Sequence, residues 1–276
     1  MPELPEVETV ARGVHDRACG QRIIDVWFCS KPQPFKASPA RQARMLEGRT
    51  ILAVHRTGKH IVVELASSPR ASAPDAQWIV HLGMTGRLLV TTPDAPVVVH
   101  THARLTLSSC REIRFVDPRR FGRLDILDLA KVGTFAPAGA EPLTIESEPF
   151  AALFHGRKLA IKAALLNQSL LTGVGNIYAD EGLFHAGIRP RRPAGRLTRA
   201  ELERLRLALR DVLTRAIARG GSSVSDYVDA NGVRGFFQLE HRVYQRTGKP
   251  CLVCSTPIRR ILIAGRGTHY CPTCQH

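Results

Sequence analysis

Two places in this chain hold residues whose types and spacing could do chemistry: its first six residues, Met1-Pro2-Glu3-Leu4-Pro5-Glu6, and four cysteines near the other end. An initiator Met is normally excised ahead of a residue as small as Pro, which would leave Pro2 as a free secondary amine beside the Glu3 carboxylate. An α-amino group has a reference pKa near 8 against about 10.4 for lysine, so at neutral pH it is neutral roughly a hundred times more often. A neutral amine can attack an electrophilic carbon, and a secondary one yields an iminium that stays cationic and pulls electrons. Glu3 could donate or accept a proton beside it. The same residues also read as an ordinary helix start. Pro5 and Glu6 suit a first turn, and Val7, Val10, Ala11 and Val14 follow at helical spacing.

Cys251, Cys254, Cys271 and Cys274 form two C-x2-C pairs separated by sixteen residues. That spacing fits a zinc ribbon, in which two knuckles supply four thiolates to one structural ion and leave no open position for water. Two disulfides are the alternative, but they belong to a secreted context that nothing else here supports. Cys19, Cys29 and Cys110 are scattered and read as ordinary reduced thiols.

These groups need a scaffold and a partner. The 276 residues suffice for two modest domains. Lys plus Arg number 39 against 24 Asp plus Glu, a formal net charge of +15, and the sequence pI is about 10.2. An excess that large points to a polyanion, most often nucleic acid. No signal-peptide pattern opens the chain, and no stretch reaches the ~20 apolar residues of a membrane span. The expectation is a soluble cytoplasmic protein that does not engage a membrane.

After the first helix, short β-like runs follow at Arg22–Phe28, Thr50–His55, His60–Leu65, Trp78–Leu82, Arg87–Thr91, Arg104–Leu107, Ile113–Val116 and Leu124–Leu127. Turn residues divide them, which predicts an antiparallel sandwich or barrel. Residues 131–149, with Pro137, Pro142 and Pro149, read as a linker. Helical patterns then cover Phe150–Phe154, Leu159–Leu166, Asn176–Phe184 and Thr198–Ala218, the last opened by a Thr198/Glu201 capping box. Gly220, Gly221, Ser222 and Ser223 end that helix, and the next stretch to Gln238 reads as a mobile loop. The expected domains are 1–130, 150–240 and a zinc module over 241–276.

Four further motifs stand out. Asp117-Pro118-Arg119-Arg120-Phe121-Gly122 sets two cations beside an aromatic in a turn; Arg could meet phosphate or a base edge, and Phe could wedge into a base step or sit in the core. His81-Leu82-Gly83-Met84-Thr85-Gly86 places Met84 between two glycines in a hairpin turn, where a Met is less often core than inside a strand. Gly173-Val174-Gly175-Asn176 opens a helix whose free N–H groups suit a phosphate, with Asn176 as mere helix cap the alternative. Gly265-Arg266-Gly267 fits a β-hairpin tip, from which Arg266 could reach a phosphate or simply be solvated. Lys59 lies in the turn Thr57-Gly58-Lys59-His60.

Taken together with the opening Pro2-Glu3-Leu4-Pro5-Glu6-Val7-Glu8-Thr9, with Ile177-Tyr178-Ala179 after Asn176, and with Arg266-Gly267-Thr268 in the ribbon, this order of motifs closely resembles the bacterial formamidopyrimidine-DNA glycosylase family, end to end. The resemblance implies an α+β fold. Its parts would be an N-terminal antiparallel β-sandwich with flanking helices, a helical domain with a helix–two-turn–helix, and a C-terminal β-hairpin zinc finger, with DNA in the cleft between. It implies excision of oxidised purines from damaged double-stranded DNA by a monomer associated with the bacterial nucleoid, one structural Zn2+ being the only cofactor. Pro2 would be the nucleophile, Glu3 the acid beside it, Lys59 the β-elimination lysine and Arg266 the δ-elimination arginine. Met84, Arg119 and Phe121 match the residues that fill the void left by the extruded base. His100, Arg119 and Arg157 occupy DNA-binding positions, Asn176 a phosphate contact, Glu6 a further functional acid, and Lys162 a place lining the site. Two rivals stand beside this reading: the endonuclease VIII branch, which removes oxidised pyrimidines, and a zinc-dependent DNA-binding protein without catalysis. The Glu3-Leu4-Pro5 opening and the Met84/Arg119/Phe121 set favour the purine branch.

Overall fold

The computed structural model describes residues 1–31, 34–68, 70–223 and 227–276. They form two compact units, Met1–Ala136 with Gly220–Gly235, and Pro137–Arg219 with Phe236–His276.

In the first unit the short β-like runs become β1 (Ile23–Phe28), β2 (Thr50–Thr57), β3 (His60–Ala66), β4 (Ala76–His81), β5 (Arg87–Thr91), β6 (Thr101–Leu107), β7 (Glu112–Val116) and β8 (Arg123–Asp128). They pair into two four-stranded antiparallel sheets, β1-β6-β7-β5 and β2-β3-β4-β8. Because side chains alternate across a strand, one face of each sheet is apolar. Ile61, Val63, Trp78 and Leu124 from one sheet share a core with Leu88, Leu105, Ile113 and Phe115 from the other. Helix α1 (Leu4–Ala18) adds Val7, Val10, Ala11 and Val14 to that core, and α2 (Pro39–Leu46) adds Leu46. Buried Gln42 of α2 accepts the Trp78 indole N–H at 3.2 Å, which satisfies a polar group inside the core. A short helix α3 (Leu129–Val132) follows β8.

Two expectations about boundaries differ from the structure. Residues 220–235 were expected with the helical domain, yet they cluster with the sandwich. Tyr227 and Ala230 are buried in its core, and Val90 donates its N–H to Ala230 O at 3.0 Å. The mobile loop expected from residue 224 to Gln238 falls partly on residues 224–226, outside the described residues. The linker expected over 131–149 has helical ends, and Ala140 exchanges backbone hydrogen bonds with Leu170 and Thr172 in its middle.

The second unit holds α4 (Ser147–Ala152), α5 (Ile161–Leu165), α6 (Asn176–His185), α7 (Arg199–Ala218) and the hairpin β9 (Arg259–Ile263)–β10 (Arg266–Tyr270). The predicted capping box opens α7: Glu201 N–H donates to Thr198 Oγ1 at 3.2 Å, and Thr198 N–H to Glu201 Oε2 at 2.8 Å. Helix α6 is nearly all buried, including Asp180 and Glu181. Two consecutive acids there must be partnered.

Candidate active site and zinc finger

Pro2 and Glu3 are buried at the head of α1, with Met1 about half exposed before them. Glu3 is the N-cap and Glu6 the third helical residue of a capping box, Glu3 N–H donating to Glu6 Oε2 at 2.8 Å. The helix-start reading of the opening is what the structure shows, and it sets Pro2 and the Glu3 carboxylate at the positive end of α1. The other Glu6 oxygen, Oε1, accepts the Ser222 N–H at 2.7 Å, and Tyr227 Oη donates to Glu6 O at 3.3 Å. Burial, then the Glu6 charge, pushes the Tyr227 phenol far above its ordinary value, so it stays a donor. Lys59 is buried in the turn joining β2 to β3.

Met84 and Phe121 stand out from the sandwich, 39% and 49% exposed. Phe121 is thus not a core residue, and the Arg119 guanidinium lies over its ring, 4.7 Å from the centroid. The turns carrying them nearly touch. A Cβ on Gly83 would lie 2.5 Å from Gly122 N and Phe121 C, and Gly83 has φ +63°, so only glycine fits. His81 accepts the Gly83 N–H on Nδ1 at 3.1 Å and pairs across the strands with His60, ring centroids 4.8 Å apart. Burial, then neighbouring cationic groups, lowers both imidazoles to about 4, so they are neutral at pH 7. His100 is exposed with φ 69°, and its carbonyl accepts the Asp117 N–H at 3.0 Å.

In the second unit, Asn176 is the first residue of α6 but not its cap, which is Gly175. Its side-chain amide instead donates to Gly267 O at 3.0 Å. The hairpin tip is Ala264-Gly265, both at positive φ, and Arg266 opens β10 opposite Ile263. The tip therefore lies one residue earlier than Gly265-Arg266-Gly267 implied, and Arg266 is exposed just beyond it. Arg157 is exposed after α4, its Nε donating to Leu153 O at 2.6 Å.

Lys162 requires a correction. It was expected to line a DNA site, yet its side chain is fully buried. Its Nζ lies 2.6 Å from Asp180 Oδ1 and donates to Thr268 Oγ1 at 2.9 Å and Gly267 O at 3.1 Å. Asp180 Oδ2 in turn accepts the His269 N–H at 2.8 Å. A buried cation needs partners of this kind, and here they fasten the hairpin bearing Arg266 to α5 and α6. Replacing Lys162 by Met should leave Asp180 as a buried charge short of its partner and lower stability by about 3 kcal/mol. Chemical denaturation would show this as a lower midpoint at unchanged slope; an unchanged midpoint would contradict it.

Sequence reasoning also missed two buried residues that hold loops. Glu181 accepts backbone N–H groups from Arg242, Val243 and Tyr244 at 2.8 to 3.0 Å, fixing the chain as it enters the cysteine module, although burial pushes its pKa up. Arg114 binds Glu112 at 2.7 Å and donates to Ala95 O and Pro96 O at 2.9 and 3.1 Å, shaping the loop that leads to His100. The signal for each was a charged residue inside an otherwise apolar element.

The four cysteine Sγ atoms lie within 4.8 Å of one another, with Cys254–Cys271 at 3.4 Å and Cys251–Cys274 at 3.9 Å. These separations are too long for S–S bonds. They fit a tetrahedron of thiolates about 2.3 Å from one zinc, whose edge is about 3.8 Å. The four residues are positioned to bind a single structural Zn2+. Among the described residues no other metal-holding group of three or more such side chains occurs, and no helix is long and apolar enough to cross a membrane.

Three family models match in series: formamidopyrimidine-DNA glycosylase N-terminal domain at residues 1–124, formamidopyrimidine-DNA glycosylase H2TH domain at 138–228, and the zinc finger found in FPG and IleRS at 248–276. A formamidopyrimidine-DNA glycosylase of Solibacter usitatus is 45% identical over 275 residues, covering 100% of this chain and 99% of the relative. One from Thioalkalivibrio sulfidiphilus is 42% identical over 286 residues, with both chains fully covered. Among solved structures, a Lactococcus lactis FPG mutant bound to Fapy-dG-containing DNA superposes with TM-score 0.88 at 33% identity, covering 100% of both chains. The Thermus thermophilus protein superposes with TM-score 0.85 at 40% identity, covering 99% of this chain and 98% of that one. Fold, cysteine site and relatives together define a zinc-finger DNA glycosylase, an enzyme of DNA repair. The chain belongs to the formamidopyrimidine-DNA glycosylase family.

Proposed function

We propose that this chain excises oxidised purines, 8-oxoguanine and formamidopyrimidines, from duplex DNA and then cleaves the strand at the resulting abasic site. The observation that carries this reading is the position of Pro2-Glu3 at the head of α1. With Met1 removed, the positive end of a helix favours the neutral over the protonated amine, the form that attacks. The damaged nucleotide leaves the stack, at a cost of a few kcal/mol. Exposed Met84 and Phe121 offset part of that cost by filling the void, while Arg119 reads the orphaned base. Pro2 attacks C1′, the base departs, and Glu3 assists by proton transfer at the sugar. The iminium acidifies the adjacent sugar hydrogen, so β-elimination with Lys59 and δ-elimination with Arg266 break the strand on both sides. His100, Arg157 and Asn176 serve as DNA contacts, and zinc would hold the finger that carries Arg266 without itself taking part in the reaction.

The test is incubation of the Met1-free protein with a duplex bearing one 8-oxoguanine opposite C. Free base and a one-nucleotide gap flanked by phosphates are expected; binding without cleavage would favour the non-catalytic alternative, and preference for an oxidised pyrimidine the endonuclease VIII-like one.

The contacts should separate by type. Phosphate contacts carry salt dependence and no sequence information, whereas base contacts specify. Arg157→Ala should weaken binding to every duplex alike and make the log K against log salt slope shallower by about one unit. Arg119→Ala should instead narrow the gap between 8-oxoguanine opposite C and opposite A, a base contact being worth about 1–3 kcal/mol. An Arg119→Ala protein with intact opposite-base preference and only a changed salt slope would refute its role.

A further inference from the structure

The two turns that carry Met84 and Arg119–Phe121 are joined by one buried carboxylate. Asp117 is fully buried. Its Oδ1 accepts the Thr85 hydroxyl at 2.6 Å and the Arg119 N–H at 3.3 Å, and its Oδ2 accepts the Gly122 N–H at 2.7 Å. Thr85 Oγ1 itself accepts the Arg119 N–H at 3.3 Å. The Asp117 backbone is fixed as well: its N–H donates to His100 O at 3.0 Å, and its carbonyl lies 2.9 Å from His102 Nε2. A carbonyl only accepts, so that nitrogen carries the proton.

We infer that Asp117 and Thr85 are positioning residues that make Met84, Arg119 and Phe121 one pre-ordered wedge. The inference rests on the proposed glycosylase reading and assigns to that reaction two residues that touch neither DNA nor the reacting atoms. The Thr85 hydroxyl is the only side-chain group linking the Met84 turn to the carboxylate among the hydrogen bonds of Asp117 described above, and its 2.6 Å length is that of a charge-assisted bond. Side chains held in place before DNA arrives lose little freedom when they enter the stack, so more of their contact energy goes into extruding the base. Without the hydroxyl the Met84 turn would still form, since Gly86 N–H donates to Leu82 O at 2.8 Å, but only the close packing of Gly83 on Phe121 and Gly122 would then tie it to the Arg119–Phe121 turn.

Thr85→Val keeps the side chain's shape and removes only the hydroxyl. Single-turnover excision of 8-oxoguanine should fall about ten- to a hundredfold, the range one hydrogen bond to a charged group is worth. Cleavage of a duplex with a pre-formed abasic site should fall much less, because no base remains to be unstacked. Thr85→Ser should restore excision. Thr85→Val placed on Met84→Ala should add little to the single Met84→Ala loss, because the hydroxyl acts through Met84. Equal losses on the two substrates, failure of Ser to rescue, or additive losses would each overturn the inference. If Thr85→Val proves poorly folded by circular dichroism, the Thr85→Ser against Thr85→Ala comparison reads the same ratio. A wild-type protein that excises nothing overturns the glycosylase reading and this inference with it. A wild type that excises while Thr85→Val matches it overturns the inference alone.

Discussion

Replacing Pro2 by glycine is expected to lower single-turnover excision of 8-oxoguanine by about a thousandfold while affinity for lesion DNA changes only a few-fold. Glycine offers a primary amine on a freer backbone, so both the electronic character of the intermediate and the approach to C1′ suffer. A thousandfold is about 4 kcal/mol of barrier, within what lost positioning of a nucleophile can explain. Binding should persist because the groups proposed to hold DNA, among them Arg119 and Arg157, lie elsewhere and are exposed. Excision at the wild-type rate would remove Pro2 from the mechanism. Equal loss of binding and excision would show that the substitution had disturbed the fold of α1.

The second large effect concerns the finger. Cys254→Ser should lower zinc content well below one equivalent and weaken binding to all duplexes, with loss of strand cleavage. Metal binding and folding of such a module are one equilibrium, worth roughly 10–16 kcal/mol in isolated fingers. Only a small core backs the four thiolates here, chiefly Phe184, Val243 and Ile258. Without the metal the β9–β10 hairpin loses its base and Arg266 its position, despite the Lys162 and Asn176 bonds to Gly267. The sandwich should survive. Both tryptophans, Trp27 and Trp78, belong to it, so their fluorescence should be unchanged while zinc is lost. Full zinc retention by atomic absorption, or unchanged DNA affinity, would contradict this.

Most of the scaffold was legible in the sequence because its signals are local. Short β-like runs divided by turn residues marked the strands of the sandwich, the Thr198/Glu201 box marked the start of α7, and two C-x2-C pairs announced the metal site. The amine–acid opening could be read as chemistry or as a helix start, and the structure shows the helix start. What could not be read depended on which distant segments meet. Residues 220–235 look like a tail of the helical domain, but Tyr227 and Ala230 find their apolar partners in the sandwich. Lys162 looked like one more cation for DNA. Its role follows from Asp180, eighteen positions on, and from Thr268, over a hundred away. Asp117 was visible inside a DNA-contact motif, but its bond to Thr85 spans 32 residues and leaves no periodic trace.

The central claim is that Pro2 forms a covalent iminium with the sugar of damaged DNA. Borohydride reduces such an iminium to a stable amine, so incubation of the Met1-free protein with 8-oxoguanine duplex and borohydride should give one protein–DNA adduct. Proteolysis and mass spectrometry should then place the added mass on the N-terminal peptide, at Pro2. A chain that retains Met1 has an amide there and should give none. No adduct from the Met1-free protein, an adduct located at Lys59, or equal trapping with Met1 retained would contradict the account.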